Sequence, residues 1–357
     1  MKTILCNLTS QTLKCMKNYK CSMIKMARKL ASIRVISDLV PIDGADFIET
    51  AVIDGWKAVV KKGEFAVGEK VVYCEVDSWI PMQLAPFLSK GVRVNVYNGV
   101  KGERLKTIKL KGQISQGLVL KLDQTLNLSQ TEIGTDVTAQ LGIQKYEPVV
   151  AASLGGLVKG SFPSFLIKTD EERVQNLNLN KFFGSYYATE KLDGSSMTVF
   201  WRDGEFGVCS RNLQLAESDQ NSFWQVAKAY ELEEKLRKLN KKIAIQGEII
   251  GPGIQKNKYA LSKIDFRPFS LFDIDSFSYL TRNALEDLCY DLGLTPVPVV
   301  FDEFLIDEKT SIDALLAISE DKSLLNNNVE REGLVFRLID NDNTSFKVIS
   351  NKFLLAE

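Results

Sequence analysis

The step Lys191-Leu192-Asp193-Gly194 lies between two short apolar runs, 186–191 and 196–201, that have the length and residue types of strands. Its simplest reading is a strand that ends in an Asp-Gly turn, since these residues tolerate the positive φ of a tight bend. Three fixed positions recur by chance too often for a KxDG alone to carry a function. The step does fix one thing about the fold: a lysine at a strand end, with a carboxylate two residues on.

Composition narrows the chemistry open to that lysine. With 357 residues, 45% of them hydrophobic, the chain is long enough for two domains. It has no histidine, which excludes a Ser-His-Asp triad, a phosphohistidine intermediate and every histidine-ligated metal site. Proton transfer and metal binding therefore fall to Asp, Glu, Lys, Tyr or Cys. The cysteines (Cys6, Cys15, Cys21, Cys74, Cys209 and Cys289) form no CxxC pair, so neither a zinc knuckle nor a disulfide framework is expected. That usage fits a reducing compartment, cytoplasmic or nuclear. Net charge is zero, yet Lys101, Arg104, Lys106, Lys109 and Lys111 face only Glu103. Such a run is either a solvated strand face or a track for backbone phosphates, with Lys106, Lys109 and Lys111 as the contacts.

Residues 1–25 hold five lysines, no acid and no arginine, without strand alternation or a helical apolar stripe. They lack the apolar core of a secretory signal, and the missing arginines weaken an organellar one without removing it. Residues 1–27 are expected to be a dispensable extension. From 28 to 143, alternating runs at 33–36, 48–53, 57–60, 71–76 and 105–110 predict a small OB-like barrel, with Asp54-Gly55 as a hairpin turn. Glycines 155, 156 and 160, without apolar periodicity, mark 144–162 as a linker. From 163 to 357 the pattern is α+β. Strands are predicted at 186–191, 196–201, 205–210, 243–250, 269–274, 333–339 and 345–349, with Asp203-Gly204 turning the second into the third. A helix is predicted from Phe223 to Leu239, with others at 282–292, closed by Gly293, and at 311–320. No transmembrane run and no coiled coil is present in the sequence, so a monomer away from the membrane is expected.

A lysine nucleophile must be neutral, although its ordinary pKa is near roughly 10.4. A divalent cation beside the amine favours the neutral form, and a hard ion such as Mg²⁺ needs oxygen ligands, or waters held by carboxylates. Three strand carboxylates are available: Asp193, Glu248 in Gln-Gly-Glu-Ile-Ile, and Glu332 in Arg-Glu-Gly-Leu-Val-Phe. A purine wants an aromatic face. Phe269 and Phe272, three apart on one strand, point to opposite faces; Phe272 is taken as the one meeting the base and Phe269 as core. Arg211 and Lys347 are the fixed cations for a triphosphate.

The ordered series Lys191-Leu-Asp193-Gly194, Ser210-Arg211, Gly247-Glu248, Phe269-x-x-Phe272-Asp-Ile, Glu332-Gly333 and Ser345-Phe346-Lys347 resembles the motifs of covalent nucleotidyltransferases, the superfamily of ATP-dependent ligases and capping enzymes. An OB-like domain ahead of the transferase, and the run Lys168-Thr-Asp-Glu-Glu-Arg-Val-Gln-Asn176, resemble RNA ligase family 5 over about 28–357. The resemblance implies an N-terminal OB-like barrel followed by a mixed antiparallel-sheet nucleotidyltransferase domain of the ATP-grasp-like ligase kind. It implies ATP, with Mg²⁺ or Mn²⁺, and a three-step reaction. Lys191 would take AMP from ATP, AMP would pass to an RNA 5′-phosphate, and a 3′-hydroxyl would then displace it. Glu190, Lys191, Arg211, Glu248, Phe272, Glu332 and Lys347 would hold the nucleotide, and Asp193, Glu248 and Glu332 the metal. Nicked duplex with an RNA 3′-hydroxyl strand would be the partner, touched by Lys106, Lys109, Lys111, Lys168 and Arg173. Related ligases often carry a second lysine two positions after the last motif lysine; here that position is Ile349. The alternatives are a DNA ligase, or a tRNA- or RNA-binding module built on the front barrel with its Gly-Trp-Lys-Ala-Val-Val-Lys-Lys run at 55–62.

Overall fold

The structure, a computed structural model, describes residues 28–89, 95–123, 126–146, 158–339 and 341–356. The expected extension at 1–27 and most of the expected linker lie outside the described residues. Among those described, no helix is long and apolar enough to cross a membrane.

The described residues of the front part are mostly strand, as their alternation predicted, with one short helical turn at Pro86–Leu88. Ala31–Val35 and Leu118–Lys121 both pair with Lys70–Cys74, and Asp38–Pro41, Ile48–Ile53 and Trp56–Lys61 form a second antiparallel sheet. The two sheets close over Ile36, Ala51, Ile53, Trp56, Val71 and Tyr73, all buried, and large aliphatic side chains such as Ile36, Ile53 and Val71 each contribute about 1.5–3 kcal/mol by leaving water. Asp54-Gly55 makes the predicted hairpin, with Asp54 at φ 50°. Of the run expected at 105–110 only Ile108–Leu110 is strand, paired with Gln113–Ser115 around the Lys111-Gly112 turn, while a separate strand before it, Val100–Arg104, pairs with Ser78–Pro81. Gln144–Lys145, expected in the linker, adds to the Ser78–Pro81 edge.

Downstream stand two sheets. One runs Val158–Ser161, Leu213–Leu215, Glu205–Cys209, Ser195–Arg202, Ile243–Ile250, Asp265–Asp273, Ser278–Tyr279. The other runs Glu172–Arg173, Asn341–Ile349, Gly333–Leu338, Gly184–Lys191, Val299–Ile306, where only the short Glu172–Arg173 pairing is parallel. The helices Ser222–Ala229, Leu232–Leu239 and Arg282–Leu292 back the first sheet, and Ile312–Ser319 packs on the second. Leu285, Leu288, Cys289 and Leu292 form the buried stripe of Arg282–Leu292, which Thr281 caps and Gly293, at φ 68°, ends. The single helix expected from 223 to 239 is two, Ser222–Ala229 and Leu232–Leu239. Glu231 sits in the left-handed region at φ 54° and turns the chain so that Leu232 and Leu236 also reach the core. The second sheet is held by Tyr186, Phe336 and Phe346, the last two stacked at 5.1 Å.

The two parts meet along residues 172–176. The Trp56 indole N–H donates to Asn176 Oδ1 at 2.7 Å, and the Asn176 amide donates to the buried Glu75 at 2.8 Å. Gly55 at the hairpin tip has no room for a side chain: a Cβ there would lie 2.8 Å from the Gln175 Cα.

Candidate active site

The Lys191-Leu-Asp-Gly194 step is not a hairpin. Gly184–Lys191 and Ser195–Arg202 lie in different sheets, and neither Asp193 nor Gly194 has positive φ. The step instead carries the chain across the cleft between the sheets. Glycine is required at 194 by contact, since a Cβ would lie 2.3 Å from the Ile249 carbonyl oxygen and 2.8 Å from Glu248 Cγ. Buried Leu192 anchors the crossing, and the Asp193 backbone N–H donates to the Tyr259 hydroxyl at 2.7 Å.

Strand register supplies the rest. Lys191 pairs with Gly333, which sets Glu332 beside it, and Ser196 pairs with Glu248 in the facing sheet. The Lys191 Nζ donates to Glu332 Oε1 at 2.7 Å, and Asp193 is ion-paired with Lys258. Lys191, Asp193, Glu248 and Glu332 are thus brought together from separate stretches of sequence. Burial alone would lower the Lys191 pKa, but Glu332, Glu248 and Asp193 outweigh it and hold the amine protonated. Burial, partly offset by Lys191, pushes Glu248 up to about 8, with Glu332 and Asp193 adding to the rise. Burial likewise raises Glu332. The group is short of positive charge, and Glu332 Oε2 is buried with no hydrogen-bond partner. A divalent cation fits both features. Among the described residues no set of three carboxylates is close enough to ligate a bare ion, so the cation would be held through its waters.

A positive cluster adjoins this negative one. Lys347 Nζ stands 2.9 Å from Asp170 Oδ1, while Lys145 and Arg211 reach Asp170 Oδ2 at 3.0 and 3.1 Å. Burial lowers the Lys347 pKa to about 8; Asp170 opposes this, and Arg173, Lys191 and Arg28 add to the fall. Asp170 and Lys145 were not singled out in the sequence, although Asp170 lies inside the Lys168–Asn176 run.

Three expectations change, those for Phe272, Glu190 and Arg173. Phe272 is fully buried between Phe277 and Tyr279 and has no ring face left for a base, whereas Phe269 keeps some exposure beside the Arg337 guanidinium. The reason lies in the neighbouring strand: Phe272 pairs with Ala244, whose small side chain lets the aromatic cluster close over it. Glu190 is not turned to the nucleotide side, because adjacent strand residues face opposite ways; it is buried and accepts the Leu324 backbone N–H at 2.8 Å. Arg173 is not a surface phosphate contact: it is buried, donates to Asp77 at 3.1 Å and lies over the Trp56 ring. Ile349 is buried, and Lys352 pairs with Glu320 on the surface, so neither supplies a second lysine beside Lys347. Lys168 is exposed and bonded to Asn212; Lys106, Lys109 and Lys111 lie on or beside the Ile108–Ser115 hairpin at the surface.

An RNA ligase family model matches residues 184–349, and an OB-fold domain model matches residues 30–122. The solved RNA ligase of Naegleria gruberi, with pyrophosphate, is 43% identical and superposes at a TM-score of 0.85 over 92% of this chain and 98% of that one. The chain belongs to the RNA ligase family. Variants of the Naegleria gruberi ligase solved with ATP and Mn, and with AMP and Mn, are also 43% identical, at TM-scores of 0.85 and 0.86. These cover 91% and 92% of this chain, and each is itself covered to 98%. A comparison with curated proteins returns no match. This RNA ligase therefore has an OB-fold front domain and a mostly antiparallel two-sheet catalytic domain, as its sequence led one to expect.

Proposed function

We propose that this enzyme is an ATP-dependent RNA ligase that seals 5′-phosphate/3′-hydroxyl breaks in nicked duplexes through a lysyl-adenylate on Lys191. The carrying observation is the Lys191 amine, 2.7 Å from Glu332 and surrounded by carboxylates from both sheets, next to the Lys347 cluster. The solved Naegleria gruberi relatives, with ATP, AMP, Mn or pyrophosphate, support the cofactor and the first step. Asp193, Glu248 and Glu332 would hold a hydrated Mg²⁺ or Mn²⁺. When bound, that ion supplies positive charge that favours the neutral amine and offsets charge on the α-phosphate.

In the first step the Lys191 nitrogen lone pair forms a bond to the α-phosphorus, the bond to the bridging oxygen breaks, and pyrophosphate departs. Glu332 is the proton acceptor within reach of the amine. Lys347 and Arg211 offer the fixed cations that orient the phosphates, a bidentate fork in the case of arginine. The AMP then passes to the 5′-phosphate, and the 3′-hydroxyl attacks that phosphate as AMP leaves. Incubation with α-labelled ATP and Mg²⁺ tests the first step: label should stay on the protein through a denaturing gel, and a protein that never takes label would overturn it.

The front domain is read as the nucleic-acid grip. Lys106, Lys109 and Lys111 at the surface, with the exposed Ile108 and Leu110 between them, support this reading. Changing all three lysines to glutamine is expected to weaken binding to a nicked duplex. It should flatten the salt dependence by about one unit of slope for each phosphate that the variant no longer neutralises. Binding measured across a salt series decides it, and an unchanged slope would leave these lysines as a solvated face.

A further inference from the structure

Lys258 sets its ammonium against Asp193, the carboxylate two residues after Lys191, and also over the Phe353 ring, 4.1 Å from its centroid. Both members of the ion pair are largely withdrawn from water, at 27% and 14% side-chain exposure. The chain reaches this place through a strained loop. Gln255, Lys256, Asn257 and Ala260, none of them glycine, all lie in the left-handed region, at φ between 42° and 58°. What holds the loop there is in large part the Lys191–Gly194 step itself. The Gln255 side-chain amide donates to the Gly194 carbonyl at 3.3 Å, and the Tyr259 hydroxyl accepts the Asp193 backbone N–H at 2.7 Å. From the other side, the Asn326 side-chain amide donates to the Lys258 carbonyl at 2.8 Å. Contacts before and after Lys258 thus clamp the loop to the step, so the position of the ammonium on Asp193 is set by the backbone.

We propose that Lys258 is the resident counter-cation of Asp193, a positioning residue that holds this carboxylate in the site and competes with the hydrated divalent cation for it. This rests on the reading of Asp193 as one of the groups that hold the cation. Lys191 pairs with Glu332 but must lose its proton to attack, so it cannot remain a counter-charge through the first step. Lys258 carries no such task. Its charge opposes that of an incoming cation, and the Phe353 face offers the ammonium a second, weaker seat when Asp193 is taken.

The test is Lys258→Met, which keeps the length and the apolar stem against Phe353 but removes the charge. Mn²⁺ alone is titrated onto wild type and variant, with free Mn²⁺ read by electron paramagnetic resonance, beside single-turnover labelling with α-labelled ATP. The expected result is Mn²⁺ binding about tenfold tighter in the variant, equivalent to roughly 1.4 kcal/mol. Lys258→Arg, which keeps the charge, should bind Mn²⁺ like wild type. In an Asp193→Asn background, Lys258→Met should no longer change Mn²⁺ affinity. Without metal, Lys258→Met should melt lower than wild type and gain more on adding Mn²⁺, because Asp193 has lost its partner. Where Lys258→Met does not fold, Lys258→Gln serves in its place. Mn²⁺ affinity unchanged or weaker in the neutral variants overturns the proposal, as does the same affinity in wild type and Asp193→Asn, even where wild type takes label normally. Failure of wild type to take label would instead strike the ligase reading.

Discussion

Lys191→Ala is expected to abolish the covalent adenylate while the protein stays folded. No other lysine sits at the end of Gly184–Lys191 in contact with Glu332, and the next cation in the cluster, Lys347, is bonded to Asp170. Lys191→Arg should fail as well, because a guanidinium stays protonated and cannot attack phosphorus. The two variants should differ in stability. Alanine removes the cation that offsets Glu332 and Glu248. Arginine keeps that charge. Since both partners keep some exposure to solvent, the alanine variant should be destabilised by about 1–2 kcal/mol at neutral pH, less than a fully buried pair would cost. Denaturing gels with α-labelled ATP, beside urea melts, measure both effects; label retained on Lys191→Ala would remove Lys191 from the chemistry.

Glu332→Gln and Glu248→Gln carry the second large expected effect. Each keeps its shape but subtracts charge from the group that would hold a hydrated cation. Single-turnover adenylylation should slow by about 10²–10³-fold, and raising Mn²⁺ should recover part of it. Glu248 also has a signature in stability. Its folded pKa, raised by burial to about 8, lies above the ordinary carboxylate value, so the folded protein keeps a proton that the unfolded chain has released. Its contribution to stability is present at low pH and lost as pH rises toward about 8. Without nucleotide or metal, the wild-type melting temperature should fall over that interval more steeply than that of Glu248→Gln. Parallel curves would show that Glu248 is already ionised in the fold.

Much of this site could be read from sequence because its residues sit at strand ends, where register links distant motifs. Lys191 and Glu332 lie 141 positions apart, yet the pairing of Lys191 with Gly333 makes them neighbours. Strand alternation also located Ile243–Ile250, and capping located Arg282–Leu292, at the bounds observed. What could not be read depended on packing between elements. The break at Glu231 follows from the need to bury Leu232, and neither residue signals a turn. Phe269 and Phe272 have the same residue type, and only Ala244 across the sheet decides which ring is enclosed. Asp193-Gly194 has the composition of a hairpin turn but bridges two sheets, with Gly194 demanded by the Ile249 carbonyl and not by φ. Arg173 looks like a surface cation in sequence; its partner, Asp77, comes from the other domain.

RNA sealing is tested most directly by nicked duplexes that differ only in the terminal two sugars on each side of the nick. A ribose-ended 3′-hydroxyl strand favours A-form geometry, which aligns the attacking oxygen with the adenylylated phosphate. Sealing should therefore be faster when the 3′-hydroxyl strand ends in ribonucleotides, with much less demand on the 5′-phosphate side. Equal rates on all-DNA and ribose-ended nicks would contradict this and make the protein a DNA-sealing enzyme with the same lysine chemistry.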